Sequence, residues 1–392
     1  MQVKKISYFL KFFLITFLLV QILISCATFK ENEPVQVETK EAPDTVSITV
    51  EDKAFSPNND GVLDKITFKI VNKSSASIPV VSWNLMVNDS QNNTILKKQS
   101  KNELPKEYVW DGKDNNLKIA RDGAYSAALE VTFINGASRT VKTDSFILDT
   151  TPPDIEMKRD KKYFSPDDDG IDDDLTFSFP SAYDLTGVKN WELVITSPYS
   201  DTVFASIGGE GKPDDAVVWD GKSKDGKLVE SVEEYPVKIV SEDLVGNKGE
   251  KEFDPILVDI LVIKIGDGRY KIRISNIKFK PDKAIMTEDM KNIEILEKLT
   301  AALEKFKDYN ILIEGYANRW RTGLSEKDAY ELSKERAEVV AEKLFARGIK
   351  KERMTTKGKG FDNPIIPLKA GMTKEQKQEM AVNRRVEFYL EK

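Results

Sequence analysis

The chain of 392 residues contains no histidine and a single cysteine, Cys26. Without an imidazole it cannot build a Ser-His-Asp triad or a histidine zinc site. One cysteine allows neither an intrachain disulfide nor a thiolate metal cluster. Catalysis would have to rest on carboxylates, Lys or Tyr alone, and no motif sets a nucleophile beside a base. We therefore expect a protein that is not an enzyme.

Charge is spread unevenly over a chain that is long enough for several domains. Hydrophobic residues make up 40% and charged residues 32%, as in ordinary folded domains. Residues 271–392 contain 27 basic and 20 acidic side chains, a net charge of +7, which leaves −13 for residues 1–270 of the chain total of −6. The basic C-terminal part suits an anionic polymer or membrane surface, although scattered surface lysines explain the same count.

The first 25 residues have the layout of a secretory signal. Lys4 and Lys5 precede an apolar run over 9–25 that is short for a membrane span. The run leads into Leu-Ile-Ser-Cys at 23–26, which resembles the lipobox of bacterial lipoproteins. The resemblance implies that residues 1–25 are removed and that Cys26 carries a covalent lipid. An uncleaved signal anchor is the alternative.

The residues after Cys26 indicate the surroundings of the protein. Ala27 stands where an Asp would mark retention in the inner membrane, so the resemblance implies an outer-membrane lipoprotein with its domains in the periplasm. Residues 26–45 are rich in Glu, Lys, Pro and Thr, which predicts a flexible tether with a mean span of roughly 25 Å. In that compartment we expect no nucleic-acid partner.

An internal repeat follows the tether. Two blocks of residues recur 109 positions later in the chain. The first block contains Phe55, Ser56, Pro57, Asp60, Gly61, Asp64 and Phe68, and the second is the run Trp-Asp-Gly-Lys at 110–113. Because both blocks recur at the same spacing, they predict two copies of one domain, at 46–149 and 150–259. Both contain short β-prone runs separated by turn residues, which is typical of an all-β sandwich. The Trp-Asp-Gly and Asp-Gly-x-Tyr strings resemble bacterial immunoglobulin-like modules such as that of the flagellar hook-capping protein, which implies the architecture and no specific function. Envelope proteins are the candidate partners of these domains.

The opening loop of the second copy is rich in aspartate. Asp167, Asp169 and Asp173 could provide oxygen ligands for calcium, although the spacing is not that of an EF-hand. Asx turns that lead into a strand explain the same residues without a metal. Both interpretations stay open.

The periodicity changes in the last part of the chain, residues 260–392. Strands are predicted over 274–279, 311–314, 353–357 and 384–390, and helices over 287–306 and 325–347, with a short helix near Thr373. The β-α-β-α-β order predicts an α/β sandwich. The fold class is therefore multidomain, with two tandem all-β immunoglobulin-like sandwiches followed by one α/β domain.

Four strings in this domain, ILIEGYAN at 311–318, LSKERAEVV at 332–340, GKG at 358–360 and NRRVEFYL at 383–390, resemble the OmpA-like peptidoglycan-associating domain. Arg336 matches the arginine that in this family clamps the carboxylate of the diamino acid in the peptidoglycan stem. It also lies on the apolar stripe of its helix, at i+4 from Leu332. A guanidinium there needs an anionic partner, or it packs its stem at the edge of the stripe and reaches water.

The matching acidic position departs from the family. Asn318 stands where the family has the Asp that receives the ligand's ammonium group. Other residues that the resemblance assigns to the ligand site are Ala317, Leu332, Asp282, Asn383 and Arg384, and Asp282 is a candidate source of the missing negative charge. Two hypotheses follow: a lipid-anchored tether between outer membrane and peptidoglycan, or an envelope scaffold whose OmpA-like domain has lost that ligand.

Overall fold

The computed structural model describes residues 42–73, 78–101, 103–266, 268–319 and 323–392. The predicted signal peptide, Cys26 and most of the predicted tether lie outside these residues. None of the helices in the described ranges has the length and apolar character that a bilayer-spanning helix needs.

The first β-domain consists of two sheets around one core. Its strands are β1 (Val46–Val50), β2 (Ala54–Phe55), β3 (Ile66–Asn72), β4 (Val80–Asp89), β5 (Thr94–Ser100), β6 (Glu107–Trp110), β7 (Gly123–Phe133), β8 (Ser138–Lys142) and β9 (Phe146–Leu148). One sheet has the order β1-β3-β6, and the other has the order β2-β9-β7-β4-β5, with β8 paired to β7. Alternate residues point inward, as Ile66, Phe68 and Ile70 do in β3.

The second β-domain repeats this arrangement. Its strands are β10 (Asp154–Arg159), β11 (Tyr163–Phe164), β12 (Leu175–Tyr183), β13 (Val188–Thr196), β14 (Val203–Glu210), β15 (Ala216–Trp219), β16 (Glu234–Asp243) and β17 (Lys248–Val258). The sheets run β10-β12-β15 and β11-β17-β16-β13-β14. Paired sheets over a shared core are consistent with the predicted β-sandwiches, and the immunoglobulin-like strand arrangement stays a prediction.

The two repeated strings contact each other inside each β-domain. Trp110 is buried, and its Nε1 donates to the Lys113 carbonyl over 2.8 Å. Gly112 follows with φ +76°, and a Cβ there would lie 2.6 Å from Cγ of Pro57. Gly221 meets Pro166 in the same way, with φ +73° and 2.5 Å. The glycine is therefore required twice over, for its left-handed backbone and for the proline beside it.

The C-terminal domain combines one sheet with helices. Its elements are β18 (Ile263–Lys264), β19 (Tyr270–Ile274), α1 (Met290–Glu304), β20 (Asn310–Gly315), α2 (Glu326–Phe345), β21 (Met354–Gly358), α3 (Lys374–Glu379) and β22 (Val386–Glu391). The sheet order is β18-β19-β22-β20-β21, with β20 and β21 parallel. Apolar residues of α1 and α2, such as Ile295, Leu299 and Val340, pack against the sheet in one buried core.

Two predicted elements differ from the structure. The strand expected over 274–279 is wrong: β19 ends at Ile274, and the next residues turn toward the second β-domain, where Asn276 Nδ2 donates to the Val232 carbonyl over 2.6 Å. The first helix starts at Met290 rather than Thr287, because the Asp289 side chain caps it by accepting from the Asn292 amide over 2.8 Å.

The repeated glycine gives a stability prediction. Gly112→Ala combines left-handed strain with a clash against Pro57, so we expect a loss of about 2–3 kcal/mol in the free energy of unfolding. Gly61 is the matched control, since it has φ +92° but nothing within 4 Å of the position that a methyl group would take. Gly61→Ala introduces only the backbone strain, about 1 kcal/mol. Equilibrium urea unfolding measures both, and equal losses would contradict the contact with Pro57.

Candidate functional site

A cavity of about 680 Å³ opens at one end of the C-terminal sheet and is here called the pocket. It lies where β20 and α2 meet the segment between β19 and α1. Its wall includes Ser275, Asn276, Phe279, Asp282, Asp289, Tyr316, Ala317, Asn318, Leu332, Arg336, Arg384 and Arg385, together with Pro198, Tyr199 and Glu233 of the second β-domain. The structure thus brings together every residue of the predicted ligand site except Asn383.

Arg336 is placed to receive an anion. Its guanidinium carbon lies 5.0 Å from the centre of the Phe279 ring, and its Nε donates to the Lys283 carbonyl over 3.3 Å. It forms no ion pair with any residue in the described part of the chain. Burial, and secondly the nearby charge of Arg384, lower the pKa of Arg336, while Asp282 opposes this. The contact of the guanidinium with the ring and the bond to Lys283 restrain the side chain, and most of its five N–H donors remain available.

Arg384 adds a second guanidinium to the wall. Its side chain is exposed to the pocket, close enough to Arg336 for the two charges to repel. Two like charges at one cavity are relieved by an anionic ligand, and a planar carboxylate matches the fork of a guanidinium. This part of the pocket therefore favours carboxylates and other small anions.

Close contacts join β20, α2 and the turn after β21, and they involve three of the four strings noted in the sequence, at 311–318, 332–340 and 358–360. A Cβ on Gly315 would lie 2.0 Å from the Ser333 carbonyl oxygen, so a side chain at that position would push the helix away. The Ser333 hydroxyl accepts from the amides of Lys359 and Gly360, over 3.1 and 2.9 Å, and so holds the glycine-rich turn after β21. These residues set the position of Arg336, one helical turn beyond Ser333.

The end of β20 lines the pocket with uncharged side chains. Ala317 and Asn318 are buried, and the Ala317 amide donates to the Gly360 carbonyl over 2.7 Å. Leu332 packs beside them from α2. Asp282, with φ +51°, contributes a carboxylate from the turn before α1. The segment after β20, which ends in Asn318, therefore lines the pocket with polar and apolar side chains but no charge.

A buried ionic network lies under the pocket. Arg385 Nε donates to Glu387 Oε1 over 2.7 Å, and Lys271 Nζ lies 2.9 Å from Glu387 Oε2. The Arg385 guanidinium also stacks on the Tyr316 ring, 3.7 Å from its centre. Burial alone would raise the pKa of Glu387, but Arg385, Lys271 and Tyr389 outweigh it and hold the pKa at about 2. Arg385 thus supports the floor of the pocket.

Asn383 lies outside the pocket wall. Its Nδ2 donates to the Ile366 carbonyl over 2.8 Å, and its Oδ1 accepts from the Ile366 amide over 3.1 Å. Both ends of the amide therefore hold the segment before α3. The geometry gives Asn383 a structural role, and its assignment to the ligand site stays a prediction.

Sequence reasoning missed the side chains that come from the second β-domain. Tyr199 lies between β13 and β14, Glu233 lies directly before β16, and the Tyr199 hydroxyl donates to Glu233 Oε1 over 2.9 Å. The internal repeat contains a sequence signal for Glu233. Tyr235 matches Tyr125, so Glu233 stands where the first copy has Gly123. A carboxylate that replaces a glycine in only one copy indicates a task that the shared fold does not explain.

The three aspartates of the calcium prediction do lie together, with carboxylate oxygens within 4.8 Å of one another. Asp173 accepts from the amides of Asp168 and Gly170, over 2.7 and 2.8 Å, as an Asx turn requires. Asp167 Oδ2 accepts from the Val262 amide over 2.7 Å. The turns therefore account for most of these oxygens, and calcium binding stays a prediction.

The fold and the pocket define the C-terminal part as an α/β module with a charged cavity. Residues 278–378 match the OmpA family, so this module is an OmpA-like domain. No curated protein matches the chain.

Solved structures with similarity to this chain include the periplasmic domain of Helicobacter pylori MotB, at 21% identity and a TM-score of 0.28, over 34% of this chain and 78% of that one. An outer membrane protein from Borrelia burgdorferi B31 is 29% identical, with a TM-score of 0.26, over 34% and 97%. The cell wall anchor of the T6SS from Pseudomonas aeruginosa is 24% identical, with a TM-score of 0.27, over 33% and 86%.

The network under the pocket gives a pH-dependent prediction. Arg385→Met leaves the buried Glu387 carboxylate with less compensation, so we expect a loss of about 3 kcal/mol in the free energy of unfolding at pH 7. Because the folded pKa of Glu387 is about 2, below its ordinary value, the wild-type stabilisation is lost as pH falls from about 4.5 to about 2.

The difference between the two proteins is therefore expected to shrink as the carboxylate becomes protonated. Urea unfolding at a series of pH values from 7 down to 3 measures it. Arg347→Met is the control, because Arg347 follows the end of α2 and its Nη1 donates only to the Lys343 carbonyl in the last turn of that helix, over 3.1 Å. A pH-independent difference would show that the charge of Glu387 is not what Arg385 compensates.

Proposed function

We propose that this protein is a non-catalytic envelope lipoprotein that links the outer membrane to peptidoglycan, holding a stem peptide in the pocket of its OmpA-like domain. The observation that carries the proposal is Arg336, a half-buried guanidinium that faces a ligand-sized cavity and forms no ion pair with any described residue. The family match over 278–378 supports the same ligand class.

The ligand chemistry follows from the wall of the pocket. Arg336 and Arg384 would bind a carboxylate of the stem peptide, with Arg336 as the fixed clamp and Arg384 as the more exposed second charge. Leu332 and Phe279 would pack against the aliphatic part of the same residue. Asn318 would contribute hydrogen bonds at the end of β20 without charge. Such a site holds a carboxylate strongly and depends on other groups to hold an ammonium.

The anchor and the β-domains would set the distance between membrane and wall. A lipid on Cys26 would fix one end, since each buried CH2 contributes about 0.8 kcal/mol to membrane binding. The tether over 26–45 and two β-domains of immunoglobulin-like type would then separate the membrane from the OmpA-like domain. The acidic β-domains are the surfaces on which we place envelope protein partners.

Binding to insoluble peptidoglycan tests the function. In sedimentation with the detergent-solubilised full-length protein, Arg336→Ala is expected to weaken binding by roughly 10- to 100-fold, because a charge-assisted hydrogen-bonded pair is lost. Arg347→Ala, just beyond the end of the same helix and outside the pocket, is the matched control and is expected to bind like the wild type. If the wild type stays in the supernatant, the domain does not bind peptidoglycan and the scaffold hypothesis replaces this one.

The anchor is tested separately. Cys26→Ser is expected to abolish incorporation of a radiolabelled or clickable fatty acid and to move the protein from the membrane fraction to the soluble fraction. Ser25→Ala, which keeps a small residue before the cysteine, is the control and is expected to retain the label. Labelling of the Cys26→Ser protein would refute lipidation at this residue.

A further inference from the structure

The pocket is completed by a different domain from the one that carries Arg336. Pro198, Tyr199 and Glu233 of the second β-domain form part of its wall. Glu233 is buried, with only 7% of its surface exposed, and the Tyr199 hydroxyl donates to one of its carboxylate oxygens over 2.9 Å. A carboxylate thus lies at the wall of a cavity that also contains three guanidinium groups, of which that of Arg385 is paired with Glu387.

The turn that carries Glu233, residues 230–233, is held firmly against the C-terminal domain and is called the docking turn below. Glu230 accepts two hydrogen bonds from Arg273, over 2.6 and 2.7 Å. Val232 is buried in the core of the C-terminal domain with φ +58°, a conformation that is an outlier for a β-branched residue. Such strain persists only where the surroundings impose it, and it often marks functional sites.

The first β-domain shows that the fold does not need this carboxylate. Gly123 occupies the equivalent position there, and the same strands form around it. A buried carboxylate costs free energy unless it is paired, and Glu233 has only a tyrosine hydroxyl within the second β-domain. Outside that domain, Asn276 and Lys291 of the C-terminal domain also stabilise its charge.

A second open acceptor lies beside it. Asn276 lines the pocket, and its Oδ1 is buried and accepts no hydrogen bond from any described residue, while its Nδ2 is occupied by the Val232 carbonyl. An ammonium group has three N–H donors and no acceptor. Glu233 and Asn276 together offer the oxygens that such a group requires.

We propose that the second β-domain supplies the cation-binding half of the pocket, with Glu233 as the carboxylate that receives the ammonium group of a ligand whose carboxylate is bound by Arg336. The ligand class is then an amino acid or peptide end that carries both charges. This inference rests on the proposed function, and it makes the site a composite of two domains.

The charge on Glu233 depends on pH near neutrality. Burial raises the pKa of Glu233 to about 7, and the Tyr199 hydrogen bond, Lys291 on α1 and Asn276 oppose the rise, while Glu230 adds to it. A bound ammonium favours the charged carboxylate. Affinity for a cationic ligand is therefore expected to increase from pH 6 to pH 8, as the charged fraction grows.

The test uses the full-length protein in detergent and insoluble peptidoglycan. Glu233→Gln removes the charge but keeps the shape and an oxygen for Tyr199, and we expect binding at pH 8 to weaken by roughly 10- to 100-fold. Glu250→Gln is the matched control, because Glu250 pairs with Lys238 at the surface of the same β-domain and does not line the pocket. It is expected to bind like the wild type, and the rise in affinity from pH 6 to 8 is expected only where Glu233 is present.

A second arm changes the ligand instead of the protein. Acetylation of the free amines of the peptidoglycan removes their charge, and wild-type binding is expected to fall about as much as it does for Glu233→Gln. The Glu233→Gln protein is expected to bind acetylated and untreated peptidoglycan equally, since the two changes remove one interaction. Tyr199→Phe, which keeps the carboxylate, is expected to move the pH midpoint of binding upward.

The outcomes separate this inference from the proposed function. Failure of the wild type to bind untreated peptidoglycan overturns both. If the wild type binds, and Arg336→Ala weakens it, but neither Glu233→Gln nor acetylation has an effect, the function stands and the role of Glu233 is wrong. A Glu233→Gln protein that melts at or above the wild-type temperature at pH 8 shows that lost binding is not lost folding.

Discussion

The arrangement of the site depends on one interaction, the pairing of Glu230 with Arg273 at the docking turn. The carboxylate is almost fully buried and receives both guanidinium hydrogen bonds. A buried ion pair adds little net stability, because desolvation offsets attraction, but separating its partners is costly. Such a pair therefore fixes one alignment of two domains more than it strengthens the fold. With Val232 inserted in the neighbouring core, it determines where Glu233 and Tyr199 lie relative to Arg336.

Polar side chains also join the two β-domains to each other. Ser56 and Asn58, in the opening loop of the first copy, donate to Asn247 of the second copy over 2.6 and 2.9 Å. In the second copy, Asp167 stands where the first has Asn58, and it accepts from the Val262 amide of the chain that leads into the C-terminal domain. The opening loop thus bonds to the following domain in both copies. Hydrogen bonds within the Asx turns and to the following domain therefore account for the polar residues of this loop without a metal ion.

Features that depend on local spacing could be predicted from the sequence, and features that depend on domain contact could not. Helix periodicity located α1 and α2, and the i+4 relation to Leu332 put Arg336 on the buried side of its helix. The strand predicted over 274–279 failed because Ser275 and Asn276 bond to the docking turn, more than 40 residues away in sequence. Glu233 was missed for the same reason. The sequence signal for Glu233 is the difference between the two copies, which have glycine at this position in the first and glutamate in the second.

The charge balance of the pocket links two positions. Asn318 has no charge where the family has a carboxylate, and Glu233 supplies a carboxylate from another domain. The segment after β20 ends in Asn318 and has no carboxylate, so within the OmpA-like domain Arg336 and Arg384 are opposed in the pocket wall by Asp282 and Asp289. In the proposed site, Glu233 of the neighbouring domain adds a buried carboxylate, which favours a ligand with a second, positive group. Because that carboxylate is buried and carries a raised pKa, it reduces the stability of the empty protein at neutral and higher pH. Selectivity in such a site is therefore obtained at the expense of folding stability and depends on the docking turn staying in place.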